Sequence, residues 1–355
     1  SKKGDCILGS EWYKLRIQDM RMNQPKFIQP GDRIAWVAPS FGVTTEPYET
    51  RAAVAKKQWG KMGYQVEEGA CVHRNDGVAS SASPEERAQE WMEAYSSDCS
   101  LLLSVGGGET MNEILPFIDF EAIKHMPPKW FMGFSDNTNL TFTLATLSNL
   151  VTIYGPCAPQ FFQKKFRLSE KDAMAMLRGE KHFEGYPKYS ITHSNPLRPL
   201  LPYRLSQTKV ITLSNYRGPF TGTFLGGCLD CLVGLCGTKY DRVKEFEKEY
   251  PEGIIWFLEA CDLSPLGIRR ALFQLKEAGW FNNAIGFLVG RPLCMKQELF
   301  GVTPHSAVMD ILGDLGCPIL LDVDLGHISP SMPFKTGARG TVSVVDGNLV
   351  IDYAK

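Results

Sequence analysis

The sequence predicts an α/β protein: a layered, parallel N-terminal domain and a smaller strand-rich C-terminal α/β domain. Three observations carry this. Apolar runs of strand length alternate with helical patterns through the first half, a polar proline-containing stretch breaks the pattern at about 160–215, and the second half is richer in β-type runs. Strand–helix alternation builds a parallel sheet with crossover helices, and 355 residues exceed what one compact core usually holds. These shifts divide the chain into an N-terminal extension (1–30), an α/β domain (31–160), a linker with a substrate-facing loop (161–215) and a C-terminal domain (216–355).

Taken in order, "DRIAWVAPS" (32–40) is a buried-strand run, and "EPYETRAAVAKKQWGKMG" (46–63) is a helix closed by glycine. "YQVEEGA" gives a second strand. "SPEERAQEWMEAYSSD" (83–98) opens with a serine cap and proline at the first helical position, which marks a helix start. "CSLLLSVGGG" (99–108) is a strand running into glycines, and "PPKWFMGF" (127–134) is another, followed by a helix. Further strands are predicted at 216–227, 253–260, 284–292 and 340–354, with helices at about 228–248 and 265–279. The last strand run holds Asp-Gly-Asn between alternating β residues, a hairpin signal. The opening "SKKGDCILGSEWYKLRIQDMRMNQPKF" has no clear period and stays outside the fold argument.

Composition excludes several classes. The hydrophobic fraction of 44% and charged fraction of 22% are those of an ordinary globular protein. A net charge of −1, with acids and bases interspersed, points to neither a nucleic acid nor a membrane surface as partner. No run approaches the ~18 apolar residues of a spanning helix, and the first residues show no signal-peptide pattern. Ten cysteines, most in apolar surroundings, read as reduced core thiols of a cytoplasmic protein. Cys228, Cys231 and Cys236 have a C-x2-C-x4-C spacing, but the four-ligand set is incomplete and the segment apolar, so core thiols are expected rather than a metal site.

In a parallel sheet, functional groups collect at the carboxyl ends of strands, where Ser40, Gly106 to Gly108 and Ser135 all fall. In "FMGFSDNTNL", Ser135 either caps a helix or is a nucleophile on a sharp strand-to-helix turn. There the helix N-terminus and the N–H of Asp136 favour developing negative charge. The match to G-x-S-x-G is partial, because Asn137 replaces the last glycine. "SVGGGET" is a tight turn or a ligand loop, without the spacing of a dinucleotide fingerprint. Glu259 ends the apolar run "IIWFLEA" and must be paired or exposed at a rim, Arg269 or Arg270 being candidate partners. His327 stands in the turn-rich "LDVDLGHISPSMPFKTG", where a lone loop histidine is usually just surface. Jointly, a serine, an acid and a histidine at strand ends or in following loops can form a triad, whose chain order varies between folds.

"GFSDNT", the upstream "LLLSVGGGETMNEILPFIDF" and the downstream "IYGPCAPQF" resemble the LD-carboxypeptidase family of serine peptidases. That family includes murein tetrapeptide carboxypeptidases and microcin C immunity peptidases. The resemblance continues through "GTFLGGCLDCLVGLCGT", "IIWFLEACDLSPLGIRRALFQL" and "LDVDLGHISPSMPFKTGA", nearly all of 30–355. It implies Ser135 as nucleophile, Glu259 as triad acid, His327 as general base, and Gly107 with the N–H of Asp136 as the oxyanion-hole region. It further implies an interdomain cleft, a homodimer, a cytoplasmic setting, no metal or other cofactor, and a small peptide or peptide conjugate as substrate. Gly106, Gly108 and Arg270 are candidate substrate-binding residues, Arg270 because guanidinium grips a carboxylate bidentately. "SVGGGE" lacks the Arg-Gly-Gly-Tyr type of motif of murein-cleaving members, and "ILPFIDF" is closer to the microcin-immunity branch. That branch stacks a tryptophan on a nucleobase. Here no tryptophan lies between Trp130 and Trp256, leaving Phe183, Tyr186 and Tyr189 as aromatic candidates, and Cys228 stands where many members carry asparagine. The expected activity is thus carboxypeptidase hydrolysis of a murein-like tetrapeptide, with cleavage of peptidyl- or aminoacyl-nucleotides as the alternative. A non-catalytic nucleotide or sugar-phosphate binder using Gly106–Gly108 is the reading from another class.

Overall fold

The computed structural model describes residues 22–354; the other positions of the expected N-terminal extension, 1–21, lie outside the described residues. Strands β1 (Arg33–Val37), β2 (Gln65–Glu68), β3 (Leu101–Ser104), β4 (Trp130–Gly133) and β5 (Thr152–Tyr154) pair in parallel in the order β2-β1-β3-β4-β5. β1, β3, β4 and β5 are almost wholly buried and apolar, as expected where helices cover both faces of a parallel sheet. Helices α1 (Tyr48–Lys61), α2 (Pro84–Ser96), α3 (Phe120–His125) and α4 (Thr138–Ser148) make the crossovers. The predicted start of α2 is a full capping box: Ser83 accepts from the Glu86 N–H, and the Glu86 side chain returns to the Ser83 N–H. The strand order reverses between β1 and β3, the switch point at which such sheets open a crevice at their carboxyl ends.

The segment at 161–215 is more than a connection. It holds α5 (Leu168–Leu177) and the short strands β6 (His182–Glu184), β7 (Lys188–Tyr189), β8 (Gln207–Thr208) and β9 (Thr212–Ser214). β10 (Phe220–Cys228), β11 (Ile254–Glu259), β12 (Ala284–Gly290) and β13 (Ile319–Val323) then form a second parallel core, with α6 (Leu229–Leu235), α7 (Val243–Glu249), α8 (Pro265–Glu277) and α9 (Pro304–Leu312) between them. The helix expected over 228–248 is thus two helices, and Gly237, at φ +85°, lies in the turn between them. β14 (Phe334–Thr336) leaves this domain and pairs antiparallel with β5, completing a six-stranded N-terminal sheet. β15 (Arg339–Val345) and β16 (Asn348–Tyr353) are the predicted hairpin. Val345 pairs with Asn348 across Asp346 and Gly347, both at positive φ, as a type I′ turn requires. The second sheet runs β6-β16-β15-β10-β11-β12-β13-β9. With eight strands it is the larger sheet, two of its members coming from the intervening segment.

Two hydrophobic clusters fill the interior, and each draws on both sheets. Phe142 of α4 stacks on Trp280 with ring centres 5.3 Å apart, so the domains share a core. They approach closely at Gly227. A Cβ there would lie 2.6 Å from Thr138 Cγ2, so only glycine lets α4 dock on β10. The Cys228 N–H donates to Thr138 Oγ1 across the same seam (2.9 Å).

Candidate active site

Ser135 occupies the turn between β4 and α4, at φ +63°. This left-handed conformation costs a non-glycine residue on the order of 1 kcal/mol or more and persists only where neighbours enforce it. Here the Ser135 N–H donates to the Tyr154 hydroxyl (2.9 Å), Thr138 Oγ1 donates to the Ser135 carbonyl (2.7 Å), and Asn137 Nδ2 donates to the Phe134 carbonyl (2.9 Å). No side-chain cap is made at the start of this 3₁₀ turn or of α4. Ser135 Oγ instead meets His327 Nε2 at 2.9 Å.

The other two residues come from the second sheet. Glu259 ends β11 with its side chain fully buried, and His327 rides the loop after β13. His327 Nδ1 lies 2.9 Å from Glu259 Oε2, and Tyr154 donates to Glu259 Oε1 at 2.5 Å. The acid's partners are therefore His327 and Tyr154 rather than an arginine; Arg269 pairs with Asp310. Around His327, the Gly326 N–H donates to Ser331 Oγ (3.0 Å), and the Phe134 ring lies 5.5 Å from the imidazole. Burial pulls the His327 pKa down, but the Glu259 carboxylate and the Cys261 thiol outweigh it, so it rests well above 6.5. Asp230 accepts from the N–H groups of Cys261 and Asp262 and so pins the loop beyond Glu259.

The glycine loop closes the other side. Gly107 is so near that a Cβ on it would sit 3.2 Å from Ser135 Cβ and 3.7 Å from the Asp136 nitrogen. Its carbonyl accepts from the Phe41 N–H, and that of Gly106 accepts from Asn137 Nδ2. Gly108 lies against Ser40 and the ring of Phe41. Asp136 does more than offer an N–H. Its buried carboxylate, whose pKa burial raises, accepts from Ser40 Oγ (2.7 Å), the Met111 N–H (2.9 Å) and Asn139 Nδ2 (3.0 Å). It thereby ties the loops after β1, β3 and β4 into one unit.

Several expected residues sit elsewhere. Arg270 is exposed on α8, and among the described residues no hydrogen bond or ion pair links it to Ser135, Glu259 or His327. Phe183 and Tyr186 are core residues: Phe183 packs on Tyr353, and the Tyr186 hydroxyl donates to Asp172. Tyr189 is covered by the Arg291 guanidinium at 4.4 Å. Phe183 and Tyr186 are thus closed to stacking, which corrects the expectation placed on them, whereas Tyr189 is half-buried with Arg291 over one face. Cys228 and Cys231 are free thiols, and Cys231 Sγ lies 3.7 Å from the Ser135 carbonyl. Among the described residues no group of three or more His, Cys, Asp or Glu side chains is placed to hold a metal ion. Tyr154 and the Asp136 staple were missed by sequence reasoning. Tyr154 ends β5, so the strand-end rule that singled out Ser135 could have found it.

Residues 34–155 match the family model described as the LD-carboxypeptidase N-terminal domain, and residues 221–342 match its C-terminal counterpart. The chain belongs to the LD-carboxypeptidase family. Within it, a Bacillus subtilis protein named "Probable murein peptide carboxypeptidase" is 26% identical over 334 residues, covering 93% of this chain and 94% of that one. The microcin C7 self-immunity protein MccF of Escherichia coli is 25% identical over 306 residues, 82% and 85% of the two chains. A solved structure of an MccF mutant with adenosine monophosphate shares the LD-carboxypeptidase fold at TM-score 0.78, with 22% identity over 92% of this chain and 98% of that one. An MccF-like protein from Bacillus anthracis does so at 0.77, with 23% identity over 93% and 99%.

Proposed function

We propose that the protein is a serine carboxypeptidase that hydrolyses the C-terminal amide bond of a small peptide such as a murein tetrapeptide. The observation that carries this is the unbroken run Ser135 Oγ–His327–Glu259, each link 2.9 Å, on a turn held in a left-handed conformation. His327 takes the hydroxyl proton as Ser135 attacks the scissile carbonyl. Glu259 fixes the imidazole tautomer and stabilises the imidazolium, while the N–H groups of Gly107 and Asp136 receive the oxyanion. His327 then protonates the leaving amine, and water releases the acyl group by the reverse relay.

The test has two arms: the purified protein is incubated with a murein tetrapeptide and, separately, with a peptidyl-adenylate analogue, and products are read by mass spectrometry. Released D-alanine supports the carboxypeptidase. Released nucleotide supports the alternative, an amidase acting on peptidyl- or aminoacyl-nucleotides. One observation favours that second reading: Phe41, 40% exposed, stands against Gly108 with a ring a nucleobase could stack on. A fluorophosphonate probe separates both from a non-catalytic nucleotide or sugar-phosphate binder. The enzyme labels at Ser135, and a Ser135→Ala protein does not.

A further inference from the structure

Tyr154 has its ring wholly inside the protein, between Phe134 (6.5 Å between centres) and Phe257 (5.9 Å). Its hydroxyl has one proton to give and lone pairs to receive with. Both of its contacts belong to the site: the Ser135 N–H at 2.9 Å and Glu259 Oε1 at 2.5 Å. An ionised carboxylate only accepts, so the phenol proton points at Glu259 and a lone pair receives the Ser135 N–H. Burial and the nearby Glu259 charge keep the phenol protonated, its pKa raised well above 10.

We propose that Tyr154 is a positioning residue that couples the acid to the nucleophile's backbone across the domain seam. The proposal rests on the serine-hydrolase reading above. A Glu side chain ends in a soft torsion. With Oε1 held by Tyr154, Oε2 stays aimed at His327 Nδ1. The same oxygen atom receives the Ser135 N–H, whose direction belongs to the left-handed turn that presents Oγ. One phenol therefore sets the acid's rotation and the nucleophile's turn together. It belongs to the first sheet and Glu259 to the second, so correct docking of the two sheets is a condition for assembling the site.

Tyr154→Phe keeps the ring and removes the coupling. On the peptide or nucleotide substrate found active, kcat should fall about 100-fold with KM little changed, the cost of slight misplacement of reacting groups. The acidic limb of kcat/KM should also move to higher pH. Glu259, having lost a donor, holds the imidazolium more tightly, so neutral His327 appears later. A tyrosine that only fills space would lower activity with the folded fraction and leave the limb in place, which would overturn the proposal. In a Glu259→Gln background the same change should cost well under 100-fold, since the hold on the acid is already gone and only the bond from the Ser135 N–H is left to lose. A full loss there would also overturn it. If Tyr154→Phe fails to fold, 3-fluorotyrosine at 154 keeps the shape and strengthens the donor. The limb should then move to lower pH, and an unmoved limb rejects the coupling. These outcomes concern Tyr154 alone; the underlying reading fails separately, if Ser135→Ala retains activity.

Discussion

Two carboxylates stand at the carboxyl edge of the same sheet, and both side chains are fully buried: Glu259 at the end of β11 and Asp324 just past β13. Asp324 accepts from Lys209 and Arg291, each at 2.6 Å, and from the Tyr186 N–H at 2.7 Å. Glu259 accepts from a histidine and a tyrosine. The first set is two cations and a backbone group, a locked arrangement. The second includes an imidazole, which can gain or lose a proton near neutral pH. Arg291 also donates to the carbonyl of Pro330 (3.4 Å), so the locked cluster grips the loop that carries His327. Burial alone does not separate the two carboxylates; the ability of their partners to change protonation does.

That contrast can be broken by substitution. Ser135→Ala should cut turnover about a million-fold while leaving the melting temperature unchanged or higher, measured by product release and calorimetry. Glu259→Gln should cost roughly ten-thousand-fold in kcat with the fold intact, through loss of the imidazole's orientation. Asp324→Asn should behave oppositely: about 3–5 kcal/mol less stable in denaturant titrations, because two buried cations lose their partner, with Ser135 still labelled by fluorophosphonate in the folded fraction. Silencing of Ser135 by Asp324→Asn without loss of stability would erase the distinction.

The pH dependence sharpens it further. Glu259 holds the His327 pKa above 6.5 and the base must be neutral, so kcat/KM should rise with pH through a limb lying above 6.5. For stability the sign is opposite. A pKa raised on folding contributes fully below the unfolded value near 6.5, and that contribution is lost as pH climbs through the folded one. A limb at or below 6.5 would contradict this ordering.

The triad candidates were legible because each closes or follows an apolar run, and because motif order across most of the chain resembled one family. What escaped was long-range or too short to be periodic. Strands of two or three residues, such as β6 to β9, show no alternation, so 161–215 read as a linker. Nothing local announces that Phe334–Thr336 pairs with β5 in the other domain. Asp136 was read for its N–H alone, since a staple with Ser40 and Met111 depends on contacts that sequence spacing does not encode. The glycine at 237 that divides the expected helix was visible, but its left-handed φ was not.

The excursion of β14 bears on how the molecule comes into being. On the ribosome, the early half of the polypeptide has a sheet whose flank beside β5 stays open until residue 336 has emerged. The histidine arrives only nine positions before that point. Sealing of the flank and delivery of the imidazole that meets Ser135 Oγ are thus nearly simultaneous.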